Sequence, residues 1–307
     1  MPVAFVTHPD CLLHEMGEEH PEAPARLRAI EAQLNYSDVG SKLLRVEAPL
    51  VTRGQLERVH DQTYLDWLEG IAPAHGQVQV DPDTVMNPHT LRAARRSAGA
   101  AVHATELVME GRASSAFCAV RPPGHHAERA AAMGFCFFNN VAVAAAHALE
   151  HYELERVAVV DFDVHHGNGT EDIFAQDPRV LMVSTFQHPF YPDSGVEGRS
   201  ERMVNVPLAA YSPASEFRAA VTDLWLPAID RFKPQMLFVS AGFDAHRDDQ
   251  LAMLQLNDPD YVWVSERIKE AAARHAQGRI VSLLEGGYDL RALARCVVHH
   301  LEVLAAP

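Results

Sequence analysis

The side chains able to do chemistry in this chain stand where apolar runs stop. Val157-Ala158-Val159-Val160 is followed at once by Asp161-Phe162-Asp163-Val164-His165-His166-Gly167-Asn168-Gly169. If strand alternation persists past the end of the run, Asp161, Asp163 and His165 project to one face and Phe162, Val164 and His166 to the other. Two carboxylates and an imidazole then converge, a donor set for a metal ion; the competing reading is a solvated polar loop. Asp244, in Ser240-Ala241-Gly242-Phe243-Asp244, offers a third ligand. Asp163, His165 and Asp244 would make a two-carboxylate, one-imidazole set with an open position, as in catalytic zinc sites. In isolation Asp244 reads as a turn residue after Gly242.

Pro122-Pro123-Gly124 precedes a tandem pair, His125-His126. A rigid and then permissive backbone can hold adjacent imidazoles in a non-regular geometry. Such a pair suits proton transfer near neutrality. If a metal-activated water attacks a carbonyl, one imidazole must take the water's proton and an imidazolium must later protonate the departing amine. Asp161 could orient one ring and raise its basicity, while the neutral amide of Asn168 could orient the other with less effect on charge. His299-His300, inside a helical pattern, receives no role. Tyr288, beside Gly286-Gly287, could donate a hydrogen bond to a developing oxyanion, against the ordinary reading of a packing residue. Gly134-Phe135 and Phe190-Tyr191-Pro192 could wall a narrow apolar channel or simply fill core.

These groups require a scaffold that delivers them together. Val3–Thr7, Ala116–Val120, Val157–Val160, Val180–Thr185, Met236–Ser240 and Ile280–Leu284 read as strands, apolar on both faces, which is the signature of a parallel sheet covered by helices on each side. The helices are expected over Pro24–Leu34, Pro88–Glu110, Asn140–Glu150, Pro213–Arg231, Pro259–His275 and Leu290–Leu304. Four of the strands carry a polar cluster immediately after their last residue. In an open parallel α/β sheet that carboxyl edge is where ligands bind. No internal repeat, linker or low-complexity tract divides the chain, so a single α/β domain over 1–307 is expected.

Composition narrows the function classes. Apolar residues make up 48% and charged residues 22% of 307, a globular profile without membrane-length apolar runs. A net charge of −15 argues against nucleic-acid backbone binding and would favour a cationic substrate, although solubility alone explains many acidic proteins. Cys11, Cys118, Cys136 and Cys296 form no CxxC pair, which indicates neither a disulfide framework nor a thiolate metal site. The N-terminus starts as a strand without a signal-like segment, so a cytoplasmic protein away from membranes is expected. Oligomeric state is left open, a homo-oligomer included.

With these residues in view, the chain resembles the zinc-dependent histone deacetylase superfamily, and in particular bacterial class II-like histone deacetylase-like amidohydrolases. The resemblance runs end to end. It rests on His20-Pro21-Glu22 with Arg26, Arg121 through Ala127, Gly134-Phe135-Cys136-Phe137-Phe138-Asn139-Asn140, Asp161 through Thr170, Ser240 through Ala245, and Glu285-Gly286-Gly287-Tyr288. It implies an arginase/deacetylase fold and one zinc ion on Asp163, His165 and Asp244. It implies acid–base work by His125 and His126, the first oriented by Asp161 and the second facing Asn168, with Tyr288 polarising the acyl carbonyl. A structural potassium ion is implied at Asp161, Ser184 and Thr185 with the carbonyls of Asp163 and His165, and a second near Phe174, Asp177 and Val180. Gly134, Phe135 and Tyr191 would line the acyl-lysine tunnel. Relatives commonly carry phenylalanine at the last position, so Tyr191 bears on acyl preference. Asp83 would sit at the rim and hold substrate backbone.

The resemblance covers two substrate branches. Acetylpolyamine deacetylases place a glutamate at the tunnel mouth, where this chain, in Asp248-Asp249-Gln250-Leu251, has Leu251. A neutral residue favours acyl-lysine in peptides or proteins, while the nearby Asp248 and Asp249 keep the polyamine reading open, since a small shift in alignment would bring a carboxylate to the mouth. Two further readings compete: a non-catalytic acyl-lysine binder, and a binuclear arginase-like hydrolase, which would need bridging carboxylates that Asp161–Asn168 does not fully supply.

Overall fold

The computed structural model describes residues 1–197 and 200–307. Its strands are β1 (Ala4–Thr7), β2 (Leu44–Glu47), β3 (Val78–Asp81), β4 (Thr84–Met86), β5 (Ala116–Cys118), β6 (Val157–Asp161), β7 (Val180–Gln187), β8 (Met203–Leu208), β9 (Leu237–Ala241) and β10 (Ile280–Leu284). Eight of them form one sheet in the order β2-β1-β5-β10-β9-β6-β7-β8, and every pairing in it is parallel. All residues of β5, β6, β7, β9 and β10 are buried, so the apolar runs read from the sequence are strands covered on both faces. The fold expected from the sequence, a parallel sheet with helices on both faces, is the one observed.

The order of the sheet explains how four distant loops can meet. β5, β10, β9 and β6 are its consecutive central strands, and they are the four whose carboxyl ends carry the polar clusters. Register is set by in-line pairs such as Asp161 with Ser240 and Leu284 with Ala241, so the strands end almost level. The side-chain alternation at the end of β6 is fixed from below. Phe162 is buried against Phe243 and Tyr261, at ring separations of 5.7 and 6.0 Å. With that ring anchored in the core, Asp161 and Asp163 are turned to the other side.

The sequence reading missed the pieces with the least periodic signal. β2 alternates exposed and half-buried residues at the sheet edge, and β8, at the opposite edge, contains Pro207, whose missing N–H is tolerated there. β3 and β4 form a separate antiparallel hairpin, and Asp83, placed by the sequence ahead of a long helix, lies in its turn. The helix expected over Pro213–Arg231 is interrupted by a wide π turn at Val221–Trp225, between Ala214–Ala220 and Leu226–Phe232. Pro227 has no N–H to close the ordinary bond to Asp223, and the wider turn accommodates its ring. The long helix Thr90–Met109 packs closely through Gly99, where a Cβ would overlap the Pro49 carbonyl. Among the described residues no helix is long and apolar enough to cross a membrane.

Candidate active site

Asp163, His165 and Asp244 come together as the sequence pattern required, their ligand atoms all within 4.8 Å of one another. His165 Nδ1 lies 2.9 Å from Asp163 Oδ1 and 3.3 Å from Asp244 Oδ2. The remaining oxygens are held by backbone amides: Val164 N–H donates to Asp244 Oδ1 at 2.9 Å, and Gly286 N–H to Asp163 Oδ2 at 2.8 Å. Asp244 Oδ2 is buried and, among the described residues, accepts no well-aligned hydrogen bond, despite its closeness to His165. An orphaned carboxylate oxygen beside a second carboxylate and an imidazole is the environment a divalent cation satisfies. The side chains crowd so closely that Gly242 and Gly286 are required, since a Cβ at either would overlap the oxygens of Asp163 or Asp244. Burial and the neighbouring Asp163 raise the Asp244 carboxyl to about 6, and although burial opposes it, the two carboxylates raise the His165 imidazole to about 10.

The histidine pair stands beside this cluster, with ring centroids 4.0 Å apart. His125 Nδ1 is 3.0 Å from Asp161 Oδ2, and His126 Nδ1 is 2.8 Å from Asn168 Oδ1. Asp161 therefore serves the ring of His125 with one oxygen, while the other accepts from Asp163 N–H at 3.1 Å. The orientation of the Asn168 amide is set by its own nitrogen, which donates to Glu128 Oε1 at 2.8 Å. Its oxygen must then accept from His126 Nδ1–H, leaving Nε2 of His126 as the free base. Burial, reinforced by His125 and His165, pushes His126 well below the usual imidazole range. His125 moves the other way. Burial opposes its charge, but Asp161, Asp163 and Glu285 raise it to about 10. One neutral and one charged imidazole side by side make an acid–base pair.

Behind the pair lies a layer of buried carboxylates whose roles the sequence did not reveal. Glu285 Oε2 accepts from the amides of Gly124 and His125 at 2.7 and 3.1 Å, and Oε1 from Ser240 Oγ at 3.2 Å, so it joins three of the four strand-end loops. The position of Glu285 directly after Leu284 was the available signal. Glu22 explains the N-terminal motif. It lies fully buried between Arg121, paired through Nε and through Nη2 at 2.6 Å, and Arg26 at 3.2 Å. Burial would raise the Glu22 carboxyl, but the guanidinium of Arg121 above all holds it at about 2. Arg26 extends the network by donating from Nε to the Gly287 carbonyl at 2.8 Å and from Nη2 to that of Glu285.

A cavity of about 240 Å³ leads to these groups. Its lining includes all the tunnel residues read from the sequence, Asp83, Gly134, Phe135, Tyr191 and Leu251, together with His125, His126, His165 and Tyr288. Phe135 and Gly134 both have positive φ, 69° and 56°, and a Cβ at Gly134 would run into the His126 ring. The strained Phe135 is held by its N–H, which donates to Thr84 Oγ1 at 3.0 Å, while Thr84 Oγ1 lies 2.8 Å from Asp83 Oδ1. The β3–β4 hairpin thus positions wall and rim together. The Tyr191 ring meets His126 edge-on at 5.2 Å, and its hydroxyl is buried without a hydrogen-bond partner among the described residues. The Tyr288 ring lies edge-on to Phe135 at 6.1 Å, and burial pushes its phenol well above the usual range, so it is a donor. A larger open groove of about 530 Å³ lies beside β2 at His8, Pro49, Arg96 and His103, and it contains none of the strand-end groups.

The remaining sequence expectations fall as follows. Ser184 and Thr185 are buried on β7, with Ser184 in register with Asp161 and donating to Asn205 Oδ1 at 2.9 Å. At the second expected cation position, Arg202 donates to the carbonyls of Asp177 and Ala175 at 2.6 and 3.2 Å, so a guanidinium already meets the Asp177 carbonyl. Phe174 and Val180 are connected to Asp177 through backbone bonds of 2.9 and 3.2 Å. His166, left out of the ligand set, hydrogen-bonds through Nδ1 with Ser194 Oγ at 2.8 Å, and its Nε2 lies 2.8 Å from Glu171 Oε2. His300 bridges Ser265 and Ser282 inside the core, consistent with giving it no chemical role.

Fold and site together define the class: a parallel α/β enzyme scaffold that gathers two carboxylates and an imidazole within 4.8 Å of one another beside a histidine pair and a tyrosine that line one cavity. Comparison with known proteins makes it specific. The model of the histone deacetylase domain matches residues 20–304. The chain is 37% identical over 293 residues to a histone deacetylase-like amidohydrolase of Pseudomonas aeruginosa, covering 93% of this chain and 77% of that protein. It is 38% identical over 309 residues to an uncharacterised Synechocystis protein, covering 98% and 99% respectively. The crystal structure of the HDA15 HD domain superimposes with a TM-score of 0.91 at 33% identity, over 99% of this chain and 88% of that one. The chain belongs to the histone deacetylase family, a family of hydrolytic deacetylases.

Proposed function

We propose that this protein removes acetyl, or a related short acyl group, from the ε-amine of lysine in peptides or proteins, with one zinc ion on Asp163, His165 and Asp244. The observation that carries this reading is the cavity of about 240 Å³, whose walls include Phe135 and Tyr191 and whose lining includes His126, His165 and Tyr288. A slender, uncharged acyl-lysine stem suits such walls. Zinc, when bound, supplies a Lewis acid that polarises the acyl carbonyl and increases the acidity of water.

The chain's own groups do the rest. His126, neutral and with Nε2 free, takes the proton from the attacking water as the new C–O bond forms. Tyr288 donates its phenolic hydrogen bond to the carbonyl oxygen as negative charge develops there. His125, held as a cation by Asp161, stabilises that charge, and an imidazolium of the pair protonates the lysine nitrogen as the C–N bond breaks. Acetate and the free amine leave. Asp83 holds the substrate backbone at the rim, and Asp161 with Ser184, Thr185 and the Asp163 and His165 carbonyls forms a structural potassium site.

Leu251 supports acyl-lysine over acetylpolyamine, since the cavity lining includes this neutral residue and neither Asp248 nor Asp249. Asp248 stands toward His246 and Arg295, at 3.7 and 3.9 Å, and Asp249 is buried. The test is kcat/KM on zinc-loaded protein for an acetyl-lysine peptide against acetylputrescine and acetylspermidine, because specificity is the ratio of these values. A ratio favouring the peptide is expected; a preference for the polyamines would overturn the substrate assignment.

A further inference from the structure

Tyr288, whose ring meets Phe135 and the guanidinium of Arg26, follows two residues that have no side chain to anchor the backbone. Gly286 and Gly287 precede it, and Gly287 has φ +117°, a conformation that leaves the loop free to pivot unless something fixes it. Two buried charged residues fix it, one through its carbonyls and one through its amides. Arg26 takes its carbonyls, those of Glu285 and Gly287. Asp249 takes its amides: Tyr288 N–H and Asp289 N–H both donate to Asp249 Oδ2, at 2.6 and 3.0 Å. The other oxygen, Oδ1, accepts from Leu251 N–H at 3.0 Å. Asp249 is only 4% exposed, and among the described residues the groups that meet its oxygens are backbone amides rather than cations. Burying a carboxylate on amides alone is costly, and the return is geometric: charge-assisted bonds are short and directional.

We propose that Asp249 is a positioning residue for the reaction, clamping the backbone of Tyr288 with one oxygen and that of Leu251 with the other, so that the phenol is fixed relative to the tunnel mouth. This rests on Tyr288 being the donor to the acyl carbonyl. A phenol displaced by even about 1 Å loses on the order of 100-fold in rate, because its hydrogen bond must be aimed at the oxyanion in advance. The stem of the substrate would still bind between Phe135 and Tyr191, in a cavity whose lining does not include Asp249.

The test is a double-mutant cycle on zinc-loaded protein with an acetyl-lysine peptide, using Asp249→Asn, Tyr288→Phe and the double variant, with zinc content and melting temperature measured for each. Asp249→Asn keeps the shape and one acceptor oxygen; it should lower kcat by about 10- to 100-fold and change KM by less than about threefold. In the Tyr288→Phe background the same substitution should cost less than about threefold, since the group being positioned is gone. Asp249→Ala, with no acceptor, should lose more turnover than Asp249→Asn, and if it does not fold the asparagine variant still decides. Unchanged kcat in Asp249→Asn, or an equal loss in both backgrounds, would overturn the proposal. Tyr288→Phe with undiminished turnover would instead overturn the role given to Tyr288.

Discussion

His126 donates from Nδ1 to the Asn168 side-chain oxygen at 2.8 Å, while its neighbour His125 faces the carboxylate of Asp161 at 3.0 Å. The pair is thereby divided by its partners. A carboxylate stabilises a charged ring and an amide does not, so adjacent imidazoles are prepared for different protonation states.

Asn168→Leu removes the acceptor that selects the Nδ1–H form of His126. Turnover of an acetyl-lysine peptide is expected to fall about 10- to 100-fold with zinc content unchanged, as for loss of other orienting partners. Steady-state kinetics with metal analysis checks this; retention of wild-type kcat would mean that the tautomer is set by something else.

Gly286→Ala introduces a Cβ where Asp163 and Asp244 oxygens stand. Zinc affinity is expected to fall by at least about tenfold, measured by competition with a chromophoric chelator, while the far-ultraviolet circular dichroism is preserved. Unaltered affinity would show that the ligands do not approach the β10 loop this closely when loaded.

His300 offers a test of the core that is separate from catalysis. Burial lowers it to about 4 from an unfolded value near 6.5. A lowered histidine contributes stability that is complete above the unfolded pKa and is lost as pH falls toward the folded one. Replacing it by glutamine removes that dependence, so the stability gap between wild type and His300→Gln should narrow between pH 7 and 4, by on the order of 2–3 kcal/mol. Denaturant titrations at several pH values measure the gap. A constant gap would indicate that His300 is not held neutral.

The candidate ligands were legible because each follows a buried strand, and a run such as Val157–Val160 announces both the strand and the edge at which it ends. The same signal marked His125, Asp244 and Tyr288. What could not be read was reach. Asp249 and Glu285 act on backbone amides far away in sequence, and no local pattern distinguishes a buried carboxylate that caps amides from a surface one. Asp83 depended on the β3–β4 hairpin, whose short half-exposed strands carry little periodicity. The edge strands β2 and β8 were missed because exposure on one side dilutes the apolar run that reveals a central strand.

The central claim is that His126 moves the proton in metal-dependent hydrolysis of an acyl-lysine amide. The most direct measurement is acetate release from an acetyl-lysine peptide by His126→Ala protein shown to carry a full zinc complement and a wild-type fold. A loss of at least about 100-fold in kcat is predicted, the usual contribution of a positioned general base. Turnover at the wild-type rate in that metal-replete variant would contradict the account.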